Sequence, residues 1–152
     1  MQLLPFDLED DYLLIGVHST DEDYRLAYLL NKHLKIKLTR FKDNLDFKNS
    51  VAEFPLFEFK DEKNFINYYL INNKHLQVSN NQFKGGLFGG NYSSTTYLIP
   101  EKKNIDFFLK IEGCNQSNFI SDLVENLNKI SQIITSYSID PNSLKSKNNL
   151  IF

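Results

Sequence analysis

Two carboxylates, Glu101 and Asp106, are the residues whose types and spacing come nearest to chemistry. They flank a short connection that begins at Pro100. Proline biases Ile99 toward extended backbone and ends a strand there, so Asp106 falls on the strand that follows. Brought together in a hairpin, such a pair could split its pKa values for acid/base work or hold a divalent cation. The competing reading is structural: Glu101 accepts backbone amides in its turn, and Asp106 lies on a wet sheet face opposite Lys110. No third ligand is adjacent, so the structural reading is preferred and neither a metal nor a cofactor is expected. A second feature is Gly85-Gly86-Leu87-Phe88-Gly89-Gly90, which gathers four of the six glycines into one loop. It lacks the Gly-Lys-Ser/Thr ending of a phosphate loop and the spacing of a dinucleotide fingerprint. Gly86 and Gly89 could instead make a mobile lid that carries Leu87 and Phe88 over a ligand, against the simpler picture of a flexible connection with both apolar residues tucked into the core. His18, His33 and His75 share no ligand spacing. Cys114, the single cysteine, has no partner that would make it a nucleophile.

The run Ile99-Pro100-Glu101-Lys102-Lys103-Asn104-Ile105-Asp106-Phe107 resembles the signature of the bacterial IPExxxVDY family. Ile-Pro-Glu and the Asp stand in place, and Ile105 and Phe107 replace the Val and Tyr of the pattern. That family is known by its signature rather than by an activity, so the resemblance implies no catalytic residues.

The elements that must position these residues are read from composition and periodicity. With 152 residues and 41% apolar content, one domain spanning 1–152 is expected, with a core supported by 13 Phe and 8 Tyr. The acidic N-terminal stretch is unlike a secretory signal, and no apolar run approaches the roughly 20 residues that span a bilayer. With one cysteine, these features predict a cytoplasmic protein. The net charge of −2 hides an asymmetry: seven acids from Asp7 to Asp23 precede the first Arg or Lys, Arg25, and Lys32, Lys35, Lys37, Arg40, Lys42 and Lys48 then cluster, opposed only by Asp43 and Asp46. This polarity could steer a charged partner or dock two copies head to tail, though solvated faces explain it as well. A pI near 5.9 argues against nucleic acid.

Tyr12–His18 reads as a buried strand. Thr20 is expected to cap a helix whose stripe is Leu26, Leu29, Leu30 and Leu34. Ile36 and Leu38 alternate with polar residues as in a strand, and 51–59 with 65–71 form a hairpin that Pro55 interrupts. Residues 72–94 read as a polar, glycine-rich connection. Extended character resumes over 95–99, and Ile105, Phe107, Leu109 and Ile111 give the clearest alternation of the chain. A last helix carries Ile120, Leu123, Val124, Leu127, Ile130 and Ile134, and the tail from Ser138 docks its apolar end. The fold class that follows is α+β, a mostly antiparallel sheet of about five to six strands with two helices on one face. The other face would then leave Tyr69, Phe108 and Tyr97 looking outward, as an interface for another protein or for a second copy of the chain. The sequence thus predicts a non-enzymatic protein-interaction module or homodimer, or alternatively a small-molecule site under the glycine loop.

Overall fold

The computed structural model describes residues 12–42, 45–46, 53–80, 91–113 and 117–152. Gly86, Leu87, Phe88, Gly89 and Cys114 lie outside these residues. The fold is α+β. Among the described residues, six strands form one antiparallel sheet in the order β10 (Thr135–Ile139), β1 (Tyr12–His18), β9 (Phe107–Glu112), β6 (Ile66–Asn72), β5 (Leu56–Asp61), β2 (Thr39–Arg40), and two ribbons, β3 (Leu45–Asp46) with β4 (Glu53–Phe54) and β7 (Lys74–Asn80) with β8 (Asn91–Tyr97), stand apart from it.

At its centre, β1 (Tyr12–His18) and β9 (Phe107–Glu112) pair through Ile15↔Leu109. Next to β9 runs β6 (Ile66–Asn72), which forms the expected hairpin with β5 (Leu56–Asp61). Pro55 separates β5 from the two-residue β4 (Glu53–Phe54), as its missing N–H requires. β4 pairs with β3 (Leu45–Asp46).

Helix α1 (Asp23–Leu34) starts later than expected, with Glu22 rather than Thr20 at the N-cap. The cause lies just upstream. Ser19 donates its amide to Asp106 and its hydroxyl to the Gln132 carbonyl, and that hydroxyl also accepts the Asp21 amide. The chain is therefore held extended through Ser19 before it can coil. The helix stops where Lys35 enters the left-handed region at φ 58°.

Ile36 and Leu38 are buried but not in a strand; pairing begins only at β2 (Thr39–Arg40). Asn31 explains this, because its side-chain amide takes both backbone groups of Leu38: Oδ1 accepts the N–H at 2.7 Å and Nδ2 donates to the C=O at 3.0 Å. Helix α2 (Ser117–Asn128) ends in the same way. Asn128 accepts the Ser136 amide at 2.8 Å and donates to the Ser136 carbonyl at 3.2 Å, guiding the chain into β10 (Thr135–Ile139). The helix therefore ends six residues short of Ile134, the last position of the stripe expected from sequence. Ile130 and Ile133 do continue the apolar stripe, but through turns with i to i+3 hydrogen bonds.

Both helices lie on one face, as expected. Leu26, Leu30, Leu123 and Leu127 close over Ile15, Val17, Leu70 and Leu109. Fully burying each of these aliphatic side chains contributes about 1.5–3 kcal/mol. The opposite face is not open. A loop carrying Leu98, Ile99 and Ile105 and a strap formed by residues 144–152 cover it, burying Tyr12, Leu14, Leu56, Ile71 and Leu150. Tyr69 and Phe108, expected to face outward, are only 8% and 0% exposed. They do lie on the face away from the helices, so the parity was right and the solvent exposure wrong. Residues 72–94, read as a connection, contain β7 (Lys74–Asn80) and the start of β8 (Asn91–Tyr97), which pair along their whole length. Tyr97 accordingly belongs to this ribbon and not to the main sheet, and it is half-buried there.

Candidate functional site

Where β1, α1, β7 and β9 meet, one residue organises the backbone. Asn73 is fully buried at the point where the chain leaves β6 and turns out of the main sheet into the β7-β8 ribbon. Its amide donates to the Asp106 carbonyl at 3.0 Å and its carbonyl accepts from Leu98 at 2.9 Å. Its side chain donates to the carbonyls of Lys102 and Ile105 and accepts the Ile99 amide at 2.8 Å. Every polar atom of the side chain is thereby used, which is what burial of an amide demands. The loop around Pro100 is wrapped on this side chain. Pro100 itself is exposed and opens a single 3-10 turn over Pro100–Lys102, while Ile99 and Ile105 point into the core. Ile105 sits over Gly16, where a Cβ would fall 2.9 Å from its Cδ1.

Asp106 follows directly and ties three segments together. Its backbone amide bonds Val17 at the end of β1. Oδ2 accepts the Ser19 amide at 2.9 Å, and Oδ1 accepts Lys74 Nζ at 2.7 Å. Asp106 is thus not on a wet face opposite Lys110, as expected, but at the floor of a cleft. Phe107, next along, turns its ring into the helix-side core and lines the cleft wall.

The cleft measures ≈ 730 Å³ and carries Asp21, Glu22, Asp23 and Glu53 besides Asp106, with Lys74 the one Lys or Arg among the described residues of its lining. His75 reaches it with Nδ1 2.8 Å from the Glu53 carbonyl and 3.4 Å from the Glu53 amide, and its ring is edge-on to Phe54. On the first two turns of α1, Tyr24 and Tyr28 are 58% and 64% exposed and line a second surface depression with Arg25 and Leu29. The helix is charge-polarised. Its acidic first turn borders the cleft, and the exposed Lys32 and Lys35 lie at its other end, about 18 Å along the axis; from there the chain returns along β2, where Arg40 pairs with Phe57 and the Phe41 amide bonds Leu56, next to the Pro55 of the cleft lining.

Glu101 is elsewhere. Its Oε2 accepts the Ser146 amide at 2.7 Å and Oε1 accepts the Ser146 hydroxyl at 2.9 Å, tying the Pro100 turn to the strap. Desolvation pushes this carboxyl up, but the hydrogen bonds from the Ser146 amide and hydroxyl, from its own amide and from the Lys145 amide together outweigh it and hold the pKa below the ordinary 4.5. The two carboxylates of the motif are therefore committed to different segments. Glu101 does accept a backbone amide in its turn, its own, as the structural reading requires, and adds to it the amide of Ser146, a residue remote in sequence.

The strap covers Lys110, which is 3% exposed although it stands at an alternating position in β9. Its Nζ donates to the Leu150 carbonyl at 2.6 Å and pairs with Glu112 at 3.1 Å. The rings of Phe152, Tyr12 and Tyr69 surround it at 4.3, 4.8 and 5.7 Å. Burial and the nearby Glu112 and Glu58 carboxylates push the Tyr69 phenol up to about 12.

The histidines are not gathered: His18 bonds the Tyr137 hydroxyl at 2.8 Å and His33 is exposed. Among the described residues no group of three or more His, Cys, Asp or Glu is placed to hold a metal. Among them, too, no helix is long and apolar enough to cross a membrane. Sequence reasoning missed Asn73, Lys74, Ser19 and Glu53 as parts of the site; they come from separate stretches of the chain, and no local spacing marks them. Comparison with family models, with curated proteins and with solved structures finds no match to this chain.

Proposed function

We propose that this protein is a cytoplasmic binding module whose partner is another protein, engaged through the acidic cleft and the tyrosine-bearing face of α1 beside it. The observation that carries this reading is the cleft: the acidic residues Asp21, Glu22, Asp23 and Glu53 are part of its lining, while the ammonium of Lys74 is already paired with Asp106. A field of that sign favours a basic segment and speeds its encounter. Tyr24, Arg25 and Tyr28 supply at the rim the residue types that anchor protein interfaces. The expected aromatic interface on the sheet is replaced by this surface, because loop and strap already occupy that face. The likeness of residues 99–107 to the bacterial IPExxxVDY signature belongs to the same proposal. It is a likeness of a loop wrapped on Asn73 that sets Asp106 at the cleft floor.

A second reading, a small cationic ligand in place of a peptide, is favoured by the cleft volume, which falls in the range of about 300–1,000 Å³ usual for ligand sites. The test is fluorescence anisotropy with a labelled lysine-rich peptide. Binding should weaken about tenfold or more in the combined Asp21→Asn, Glu22→Gln, Glu53→Gln chain, and fall with added salt. Glu125→Gln, on the exposed face of α2, should leave it unchanged. Equal losses in the cleft and control variants would overturn the proposal. Binding of a small diamine with the same cleft dependence, but not of the peptide, would establish the second reading.

A further inference from the structure

The strap is held by a few discrete interactions and not by a strand ladder. Leu144 and Leu150 are buried, the Leu150 carbonyl takes Lys110, Ser146 takes Glu101, and Asn149 donates to the Leu98 carbonyl at 2.8 Å. Its outermost residues are loosely covered, with Ile151 58% and Phe152 44% exposed. It leaves β10 through a 3-10 turn, Pro141–Ser143, which Asp140 caps by accepting the Asn142 amide and the Ser143 hydroxyl. Asn142 and Ser143 of that turn are exposed, so a change of chain direction there, the hinge of the exchange below, disturbs no buried residue of the turn. Among the described residues the helix-side core contains none from the strap, so departure of the strap leaves that core complete.

We infer that the groove around Lys110 is an interaction surface for the strap of a second copy of this chain, exchanged reciprocally between two protomers. The occupant is identified by the groups on the groove itself. The groove accepts a leucine whose carbonyl meets the Lys110 ammonium, and an aromatic ring two residues later that closes the box of Tyr12 and Tyr69. The same segment arriving from a second copy meets every one of those groups. The hydrogen bonds and ring packing that a protomer gives up internally are remade across the pair, so exchange costs association entropy and whatever strain the hinge imposes. The twofold pair this produces is joined on the strap face, opposite the helices.

The experiment uses the full chain and a labelled synthetic peptide with the sequence of residues 144–152. In wild type the tethered strap competes with the probe. In Leu150→Asp the groove is unoccupied, and the probe should bind about tenfold more tightly, because the competent fraction rises. Adding Lys110→Met should remove that gain, and a scrambled peptide should show none. Size-exclusion chromatography with light scattering supplies the second readout. Leu150→Asp (strap disabled, groove intact) and Lys110→Met (groove disabled, strap intact) should each run as monomers and form a dimer when mixed. If Leu150→Asp loses its circular dichroism signal, Phe152→Ala with Ser146→Ala weakens the strap more gently and takes its place in both measurements. A folded strap variant that neither binds the probe nor complements in the mixture would overturn the inference. So would a groove filled equally well by the scrambled peptide.

Discussion

Replacing Asn73 with alanine tests the claim that one side chain carries the Pro100 loop and sets the cleft floor. The substitution removes three hydrogen bonds, to Ile99, Lys102 and Ile105. A net contribution near 1 kcal/mol for each gives a floor of about 3 kcal/mol. Two of the abandoned groups, the Ile99 amide and the Ile105 carbonyl, sit at buried bonds. Leaving buried groups unpaired raises the expected cost to about 3–5 kcal/mol, a large share of the roughly 5–15 kcal/mol that holds a typical domain folded. Urea unfolding followed by circular dichroism reads the loss as a lower midpoint at unchanged slope. Hydrogen exchange should place the defect, with the Ile99 amide losing protection before the β1 and β9 amides. Asn73→Asp sharpens the test. It keeps the acceptor for Ile99 but turns an oxygen toward the Lys102 and Ile105 carbonyls, so it should be worse than alanine at neutral pH and recover as acid protonates it. A cost below about 1 kcal/mol for Asn73→Ala, or protection at Ile99 equal to wild type, would refute the reasoning.

Two further outcomes follow from local geometry. Gly113 has φ 92°, and a Cβ there would fall 2.2 Å from the Phe65 carbonyl oxygen, so Gly113→Ala should lower the urea midpoint by the equivalent of about 2 kcal/mol or more; a variant as stable as wild type would contradict it. Glu101 has a lowered pKa, so its contribution to strap docking is complete above the ordinary 4.5 and is lost as pH falls through the depressed value. Exchange at the Ser146 amide should therefore quicken in acid ahead of global unfolding, and Glu101→Gln should flatten that pH profile; an identical profile in both chains would show that the carboxylate is not what holds the strap.

The parts of the fold that were legible share one trait: a strand or helix whose buried residues recur at its own period. Leu26 and Leu30 marked α1, Phe107, Leu109 and Ile111 marked β9, and Pro55 marked the break before β5. The extended reading over 95–99 caught only the end of β8; β7 and the start of β8 escaped because Leu76 and Val78 make a single apolar alternation among Lys, His, Gln, Ser, Thr and Asn residues. β10 escaped because Ile130 and Ile133 keep a helical spacing through non-helical turns. Tyr69 and Phe108 were assigned to solvent on the premise that an antiparallel sheet has one wet face. The consecutive apolar residues of Tyr12–His18 and 68–71 already signalled burial on both sides. Of the candidate site, Asp106 could be singled out from its spacing, but its partners Ser19 and Lys74 lie 87 and 32 residues away, at distances that no local pattern encodes.

The two asparagine clamps have a consequence for how the sheet ends. An unpaired edge is an invitation to add another chain, and proteins commonly guard it with lysines or inward charges whose strength varies with pH and salt. Here Asn31 takes the backbone just ahead of β2, and Asn128 takes the outward groups of Ser136 on β10, at the two opposite margins. An amide has no charge to titrate or to screen. At these two positions the guard is therefore the same in acid, at neutrality and in concentrated salt, and a further strand is denied those backbone groups under conditions where a charged guard would fail.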